Sequence, residues 1–334
     1  MKIYINGISY YLPNKILTNE EINAEHPEWE AGKIAQKTGI QKRHIAAEDE
    51  FSSDMAIKVA NKFFDEYSFK REDVDFLLFC TQSPDYYLPS SACIIQQKLN
   101  LPTHIGAFDF NLGCSGYTYG LSLAKSLVYS KMAKNVLLIT SETYSKFINP
   151  KDKSNKTIFG DAATATLISG EKGLWEIGDF VFGTDGKGAD NLIVKNGGAR
   201  FKKETGSDIL DENNNFIKND ADLFMNGGEI FSFTSIAVPQ LINDILKKNN
   251  LDISDSVFYV MHQANKYMLE FIRRKINIDP NKFIYYIEDV GNTVSNTIPI
   301  VLKEKCIDSN KGNILLAGFG VGYSWSGCII KSVN

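Results

Sequence analysis

The chain has 334 residues, is 43% hydrophobic and 23% charged, and carries a formal net charge of −4. That is the make-up of a soluble globular protein with room for two domains or one large duplicated one. The balance excludes a strongly basic nucleic-acid binder, no apolar stretch is as long as a membrane span, and MKIYINGISYYLP at the start lacks the features of a signal peptide. A cytoplasmic location is therefore expected, with neither nucleic acid nor membrane as a partner.

In chain order, the first strand is followed by a helical pattern over 53–67 and by the strand DFLLFC (75–80), which ends at Thr81-Gln82. A helix is predicted over 90–99. The segment FDFNLGCSGYTYG (108–120) then reads as a strand, a Gly-Cys-Ser-Gly corner and the start of a helix over 116–131. The strand NVLLITSE (135–142) and the closing strand ATATLIS (163–169) follow, with IFGDAATA (158–165) too loose a match to be a phosphate loop. Residues 196–222, rich in Gly, Asn and Asp, form a long polar surface excursion. Beyond it come a helix over 229–249, the strand SVFYVM (256–261) ending at His262-Gln263, and a helix over 264–276. YIEDVGNT (286–293) reads as a strand, a glycine and a small polar residue before another helix; NILLAGFG (313–320) and SWSGCII (324–330) close the chain.

The chain repeats itself. DFLLFC pairs with SVFYVM, FDFNLGCS with YIEDVGNT and NVLLITSE with NILLAGFG, in the same order and about 180 residues apart each time. Each series ends in a similar closing strand. The pattern predicts two related α/β halves, 1–170 and 171–334.

The five cysteines (Cys80, Cys93, Cys114, Cys306, Cys328) form no C-x-x-C pair, and the four histidines (His26, His44, His104, His262) lack metal-ligand spacing, so no metal is expected. Cys114 alone is either a buried small hydrophobe or a thiolate at the first turn of a helix, where unpaired N–H groups favour negative charge. Duplication weighs on that choice. Ligands in α/β layers sit beyond the carboxyl ends of the strands. Cys114 follows one strand, Asn292 stands at the matching place in the other half and His262 follows a third. Taken singly, His262 is a hydrogen-bonded strand-end histidine and Asn292 a turn residue; together they make a constellation. A cysteine forms thioesters readily, and two neutral donors aimed at one oxygen would stabilise an enolate on a thioester carbonyl. Such a site suits carbon–carbon bond formation better than hydrolysis. AGFGVGYSW (317–325) would let backbone approach the reacting centre closely.

These residues resemble those of the ketoacyl-ACP synthase III family, the initiating condensing enzymes of fatty-acid synthesis. The resemblance rests on TQSPDYYLPSSAC (81–93), NLGCSGYTYGLSLA (111–124), IFGDAATA, HQAN (262–265), GNTVSNTIP (291–299) and GFGVGYSW (318–325), and runs over essentially the whole chain. It implies a thiolase-like fold, two duplicated α/β halves in a five-layered αβαβα arrangement, and a homodimer. It implies decarboxylative condensation of an acyl-CoA or acyl-ACP with malonyl-ACP, with those thioesters as substrates and no further cofactor. Carried over by position, Cys114 would be the nucleophile and His262 and Asn292 the enolate-stabilising pair, with the N–H groups of Cys114 and Val321 as the oxyanion hole. Leu88, Tyr144 and Phe319 would line the acyl pocket, Leu88 from across the dimer. Lys37, Lys153 and Asn265 would meet CoA or pantetheine, and Arg273, Arg274 and Lys275 would dock the carrier protein.

The sequence departs from the family pattern on the carrier side. Lys33 and Lys37, with Trp29 one turn away, replace a Trp and an Arg; Lys153 replaces another Arg, Gly228 an Asn and Tyr267 an Arg. Lysine keeps the charge and loses bidentate recognition. Two other readings of the same residues are an ester- or amide-forming acyltransferase and a non-catalytic partner subunit.

Overall fold

A computed structural model describes residues 1–202, 206–308 and 312–333. The strands of its main sheet, numbered in chain order, are β1 (Tyr4–Tyr11), β2 (Phe76–Cys80), β3 (Gly106–Phe110), β4 (Asn135–Glu142) and β5 (Ala162–Ser169), then β6 (Trp175–Thr184), β7 (Ser256–Met261), β8 (Asn313–Gly320) and β9 (Ser324–Ser332). Their spatial order is β7-β8-β9-β6-β1-β5-β4-β2-β3. Outward from the middle, β1-β5-β4-β2 and β6-β9-β8-β7 follow one scheme: two antiparallel pairings, then a parallel one. The two series meet at β1 and β6 through only Tyr4↔Glu176 and Ile5↔Trp175.

The helices packed on this sheet are α1 (Ser52–Tyr67), α2 (Ser91–Lys98), α3 (Gly116–Tyr129), α4 (Gly227–Lys248), α5 (Lys266–Lys275) and α6 (Thr297–Val301), with shorter ones at Asn19–Glu25, Ala31–Thr38 and Lys153–Lys156. The first five lie where the periodicity predicts them. Because β2, β4 and β8 are apolar on both faces, they are covered on both. Leu77 and Phe79 of β2 join a cluster under α1, while Leu78 joins a central cluster. In β8, Leu315 and Ala317 face α4, while Ile314 and Leu316 face the centre. That centre is filled by α3 and α6; Tyr117, Leu121, Ala124 and Val128 recur at helical spacing on the buried side of α3. The order α1/α2, half-sheet, α3/α6, half-sheet, α4/α5 makes the five layers of a thiolase-like fold. Among the described residues, no helix is long and apolar enough to cross a membrane.

One expected strand is absent. YIEDVGNT does not extend the second half-sheet; only Phe283 bridges to Tyr259. Past that bridge the Gln263 side chain takes over the pairing. Its amide nitrogen donates to the carbonyls of Met261 and Ile284, and its oxygen accepts from the N–H of Tyr286. The ladder's hydrogen bonds are thus satisfied without a strand.

The polar stretch 196–222 is a surface excursion, bracketed by an antiparallel ribbon of Leu192–Val194 with Leu223–Met225. Within it, Ile209–Leu210 pairs with Phe216–Lys218. Residues 203–205 of the stretch lie outside the described residues.

Candidate active site

Cys114 lies four residues past β3 and two before α3. The corner is tight. A Cβ on Gly113 would meet Gln82 Oε1 at 2.4 Å and Val321 Cγ1 at 2.8 Å, so any larger residue would have to push those side chains away. Two glycines of β8 make the same kind of room from the other half. A Cβ on Gly318 would lie 2.8 Å from the Cys114 carbonyl oxygen, and one on Gly320 would lie 2.9 Å from both Cys114 Cβ and Sγ. The Gly-rich tail therefore does bring backbone against the cysteine. A hydrogen bond between Ser115 Oγ and Ser324 Oγ at 2.8 Å and one from Thr118 Oγ1 to Ser115 O at 2.9 Å hold the start of α3 in place.

His262 directly follows β7, and its N–H extends the ladder to Ala317 O at 2.8 Å. The ring stands edge-on to Phe319, centroids 5.7 Å apart, with Nδ1 2.9 Å from Thr297 Oγ1. Its partner is thus a hydroxyl and not a carboxylate.

Asn292 reaches the same place from the far side. Gly291 has φ +70°, and Asn292 then bonds backbone to backbone with the IFGD segment: Asn292 N to Ile158 O at 2.9 Å and Gly160 N to Asn292 O at 3.0 Å. Asn292 Oδ1 accepts from Val294 N at 3.0 Å, which leaves the amide NH2 to offer. Val294, at φ +55°, is a β-branched residue in the left-handed region, so the turn that presents Asn292 is strained. IFGDAATA serves structure here. Asp161 accepts from the N–H groups of Ala46 at 2.8 Å and Ser145 at 3.0 Å, and from Ser145 Oγ.

Cys114, His262 and Asn292 line one small cavity of about 50 Å³ together with Phe159, Asn265, Phe319 and Gly320. All three of them are buried. Burial and the nearby Glu142 push the Cys114 thiol up to about 12, against the pull of the Cys114 and Val321 N–H groups that face the sulfur. The start of α3 adds to that pull. Burial depresses His262 to about 3, so its imidazole is neutral at working pH. The site therefore offers a nucleophile, two backbone N–H groups beside it, and a neutral imidazole and an amide opposite. That set can accept an acyl group and stabilise a separate negative oxygen.

Of the remaining expected residues, Tyr144 is buried and lines a neighbouring cavity. Leu88 is 82% exposed and touches neither cavity of its own chain. Asn265 lines the site while its Oδ1 caps α5 by accepting from Met268 N at 2.9 Å. Lys37 is exposed on helix Ala31–Thr38. Lys153 sits 5.6 Å from the Trp29 ring centroid, and Trp29 stacks on His26. The expected basic patch on α5 is thinner than its sequence: Arg273 pairs with Glu270 at 3.0 Å and donates to Ile278 O, and Lys275 donates to Ser235 O at 2.7 Å. Arg274, although it bonds Glu270 at 3.3 Å, points outward.

Two residues that sequence reasoning did not single out stand against the site. Thr297 holds the His262 ring; nothing in GNTVSNTIP marks its hydroxyl. Glu142 ends β4 fully buried, with its carboxyl accepting from Gln82 N at 3.1 Å, Ser83 Oγ at 3.1 Å and Ser295 Oγ at 3.4 Å. Burial pushes it up to about 8. An acid closing the apolar run NVLLIT was a readable sign of a buried polar network.

The chain is similar to known proteins over nearly its whole length. The family profile described as 3-Oxoacyl-[acyl-carrier-protein (ACP)] synthase III matches residues 108–186, and that of its C-terminal part matches residues 246–332. A beta-ketoacyl-[acyl-carrier-protein] synthase III of Clostridium perfringens is 34% identical over 328 residues, covering 97% of this chain and 98% of the relative. One of Fusobacterium nucleatum is 34% identical, covering 98% of each. Among solved structures, a 3-oxoacyl-(acyl-carrier-protein) synthase III superposes with a TM-score of 0.95 at 44% identity, over 99% of this chain and 100% of that one. A 3-oxoacyl-(acyl-carrier protein) synthase of Burkholderia xenovorans gives 0.89 at 32% identity, over 100% and 95%. These relatives favour neither a different acyl acceptor nor a non-catalytic role.

Proposed function

The chain belongs to the 3-oxoacyl-[acyl-carrier-protein] synthase III family of acyl-transferring condensing enzymes, and from that premise we propose how its residues divide the condensation. Cys114 sulfur attacks the thioester carbonyl of an acyl-CoA or acyl-ACP and expels the carrier thiol, leaving an acyl-cysteine. Malonyl-ACP then enters and loses CO2. The electron pair released collects on its thioester oxygen, between His262 and the Asn292 amide. The resulting carbanion attacks the acyl-cysteine carbonyl, whose oxygen is held by the N–H groups of Cys114 and Val321. Collapse releases the cysteine sulfur and a 3-oxoacyl-ACP.

The observation that carries this reading is the placing of a neutral histidine and a free amide NH2 across one cavity from the cysteine. For His262 to donate from Nε2, its Nδ1 must accept the Thr297 hydroxyl proton at 2.9 Å. That donation competes with the one Thr297 makes to Val294 O at 3.1 Å, so the His262 role requires the Thr297 proton to turn to the ring.

Lys37, Lys153 and Asn265 line the approach for the pantetheine thioester, and Arg274 leads carrier-protein docking with Arg273 and Lys275 behind it. The unit is a homodimer in this reading. Exposed Tyr86, Tyr87 and Leu88, and β3 at the sheet's outer edge, support such a contact, with Leu88 entering the partner's acyl pocket.

Incubation with acyl-CoA or acyl-ACP and malonyl-ACP tests the assignment. His262→Ala and Asn292→Ala should still acylate Cys114 and should each lose condensation by about a hundredfold or more. Product formation at native rates in either variant would remove the pair from the reaction.

A further inference from the structure

Beside the cysteine cavity lies a second, larger one of about 240 Å³, lined by Gln82, Asn111, Tyr144, Leu223 and Val321. Leu192 borders both. The Tyr144 ring lines the outer cavity, buried, and is tilted against Phe159 of the inner one with centroids 5.2 Å apart. Its hydroxyl donates to Gln82 Oε1 at 2.5 Å, and Gln82 Nε2 donates to Asn111 Oδ1 at 2.9 Å. Gln82 is in turn fixed against the nucleophile's corner, where its Oε1 fills the space a Cβ on Gly113 would need. Asn111 is exposed, so the polar chain runs from solvent to the inner wall.

We propose that the Gln82–Tyr144 hydrogen bond is a latch that restricts Cys114 to short acyl groups, and that opening it admits longer chains into the outer cavity. The proposal rests on Cys114 as the acyl acceptor. The inner cavity has space for a short group only, and an alkyl chain reaching further must displace Tyr144. Displacement leaves the buried Tyr144 hydroxyl without its partner and takes a hydrogen bond from the half-buried Gln82 amide oxygen, a loss of roughly tenfold. Each methylene then buried returns only about fourfold. A polar latch thus acts against alkyl chains of intermediate length more sharply than an apolar wall of equal size.

Alkyl methanethiosulfonates of increasing length test this, because they form a disulfide with the cysteine and expel sulfinate without needing acyl-transfer chemistry. Peptide mapping separates Cys114 from exposed Cys93. The native protein should react with the methyl reagent at least about thirtyfold faster at Cys114 than with the octyl reagent. Tyr144→Phe keeps the ring and removes the bond, and Gln82→Met removes the acceptor. Each should shrink that ratio about tenfold. Tyr144→Ala should shrink it further. Acetyl, butyryl and octanoyl thioesters should follow the same order in loading. If Tyr144→Phe and Gln82→Met fold and leave the methyl-to-octyl ratio within twofold of native, there is no latch. If the ratio responds but no thioester ever acylates Cys114, the latch stands and the acyl-acceptor reading falls.

Discussion

Replacing Gly320 by alanine should cripple the nucleophile without unfolding the protein. Gly320 closes β8 with a φ outside the left-handed region, so an L side chain meets no backbone penalty there. The added methyl would nevertheless sit 2.9 Å from both Cys114 Cβ and Sγ. Comfortable carbon contacts are about 3.5–4.0 Å, so something must shift by roughly 0.6–1.1 Å. The Cys114 backbone cannot retreat along β8, because Gly318 already lies against its carbonyl oxygen and Ser115 Cα. The sulfur has to swing away from the Cys114 and Val321 N–H groups it now faces, and the end of β8 has to give to relieve the contact with Cys114 Cβ. A misplacement of about 1 Å at a reacting atom costs on the order of a hundredfold, and overpacking of this kind costs about 1–3 kcal/mol in stability. Single-turnover acylation of Cys114, followed by intact mass, should fall about a hundredfold while thermal melting shows a cooperative, moderately lowered transition. Acylation within threefold of native in a folded Gly320→Ala protein would refute the reasoning.

The tautomer assignment predicts that Thr297→Val slows decarboxylation of malonyl-ACP about tenfold and spares acylation, with Thr297→Ser restoring it; equal loss in both half-reactions would point to a general packing defect. With the Cys114 thiol pushed up to about 12 and His262 depressed to about 3, acylation should climb steadily from pH 6 to 9 as the thiolate fraction grows. A rate that instead peaks and falls with a histidine titration near pH 6.5 would contradict this assignment. Glu142, held at about 8 in the folded state against an ordinary 4.5, contributes stability that is complete below pH 4.5 and lost as pH rises through 8. Melting temperature should therefore drop between pH 5 and 9, and Glu142→Gln should flatten the drop; an unchanged pH slope in that variant would place the ionisation elsewhere.

Much of the fold was legible because doubly covered strands must be apolar on both faces. DFLLFC, NVLLIT and NILLAG announce themselves for that reason, and their recurrence in order exposes the duplication. The segment 286–293 misled because extended backbone beside a sheet has a strand's composition whether or not its hydrogen bonds go to a neighbour. Here the Tyr286 N–H goes to the Gln263 side chain, the Glu288 carbonyl accepts from Gln41 and Lys42, and Asn292 bonds Ile158 and Gly160. At 273–275 three consecutive basic residues read as a patch, and only the helix geometry shows that Arg273 lies on Glu270 while Arg274, also bonded to Glu270, points outward.

By itself, the sequence determined the chemistry on offer: a cysteine at a glycine corner, a histidine after a strand, an asparagine at the matching corner of a repeated half. Those are properties of short segments, set by local turn requirements and period. Only the tertiary structure decided how far that chemistry is tuned. The burial that keeps His262 neutral, the Thr297 hydroxyl beside its Nδ1, the β8 glycines that seat the Cys114 sulfur and the Gln82–Tyr144 hydrogen bond all join residues distant in the chain. The β8 glycines reach Cys114 only because the two half-sheets are clamped across α3, whereas the Gln82–Tyr144 and His262–Thr297 contacts form within one half between separate elements, and no local pattern encodes which side chains will meet.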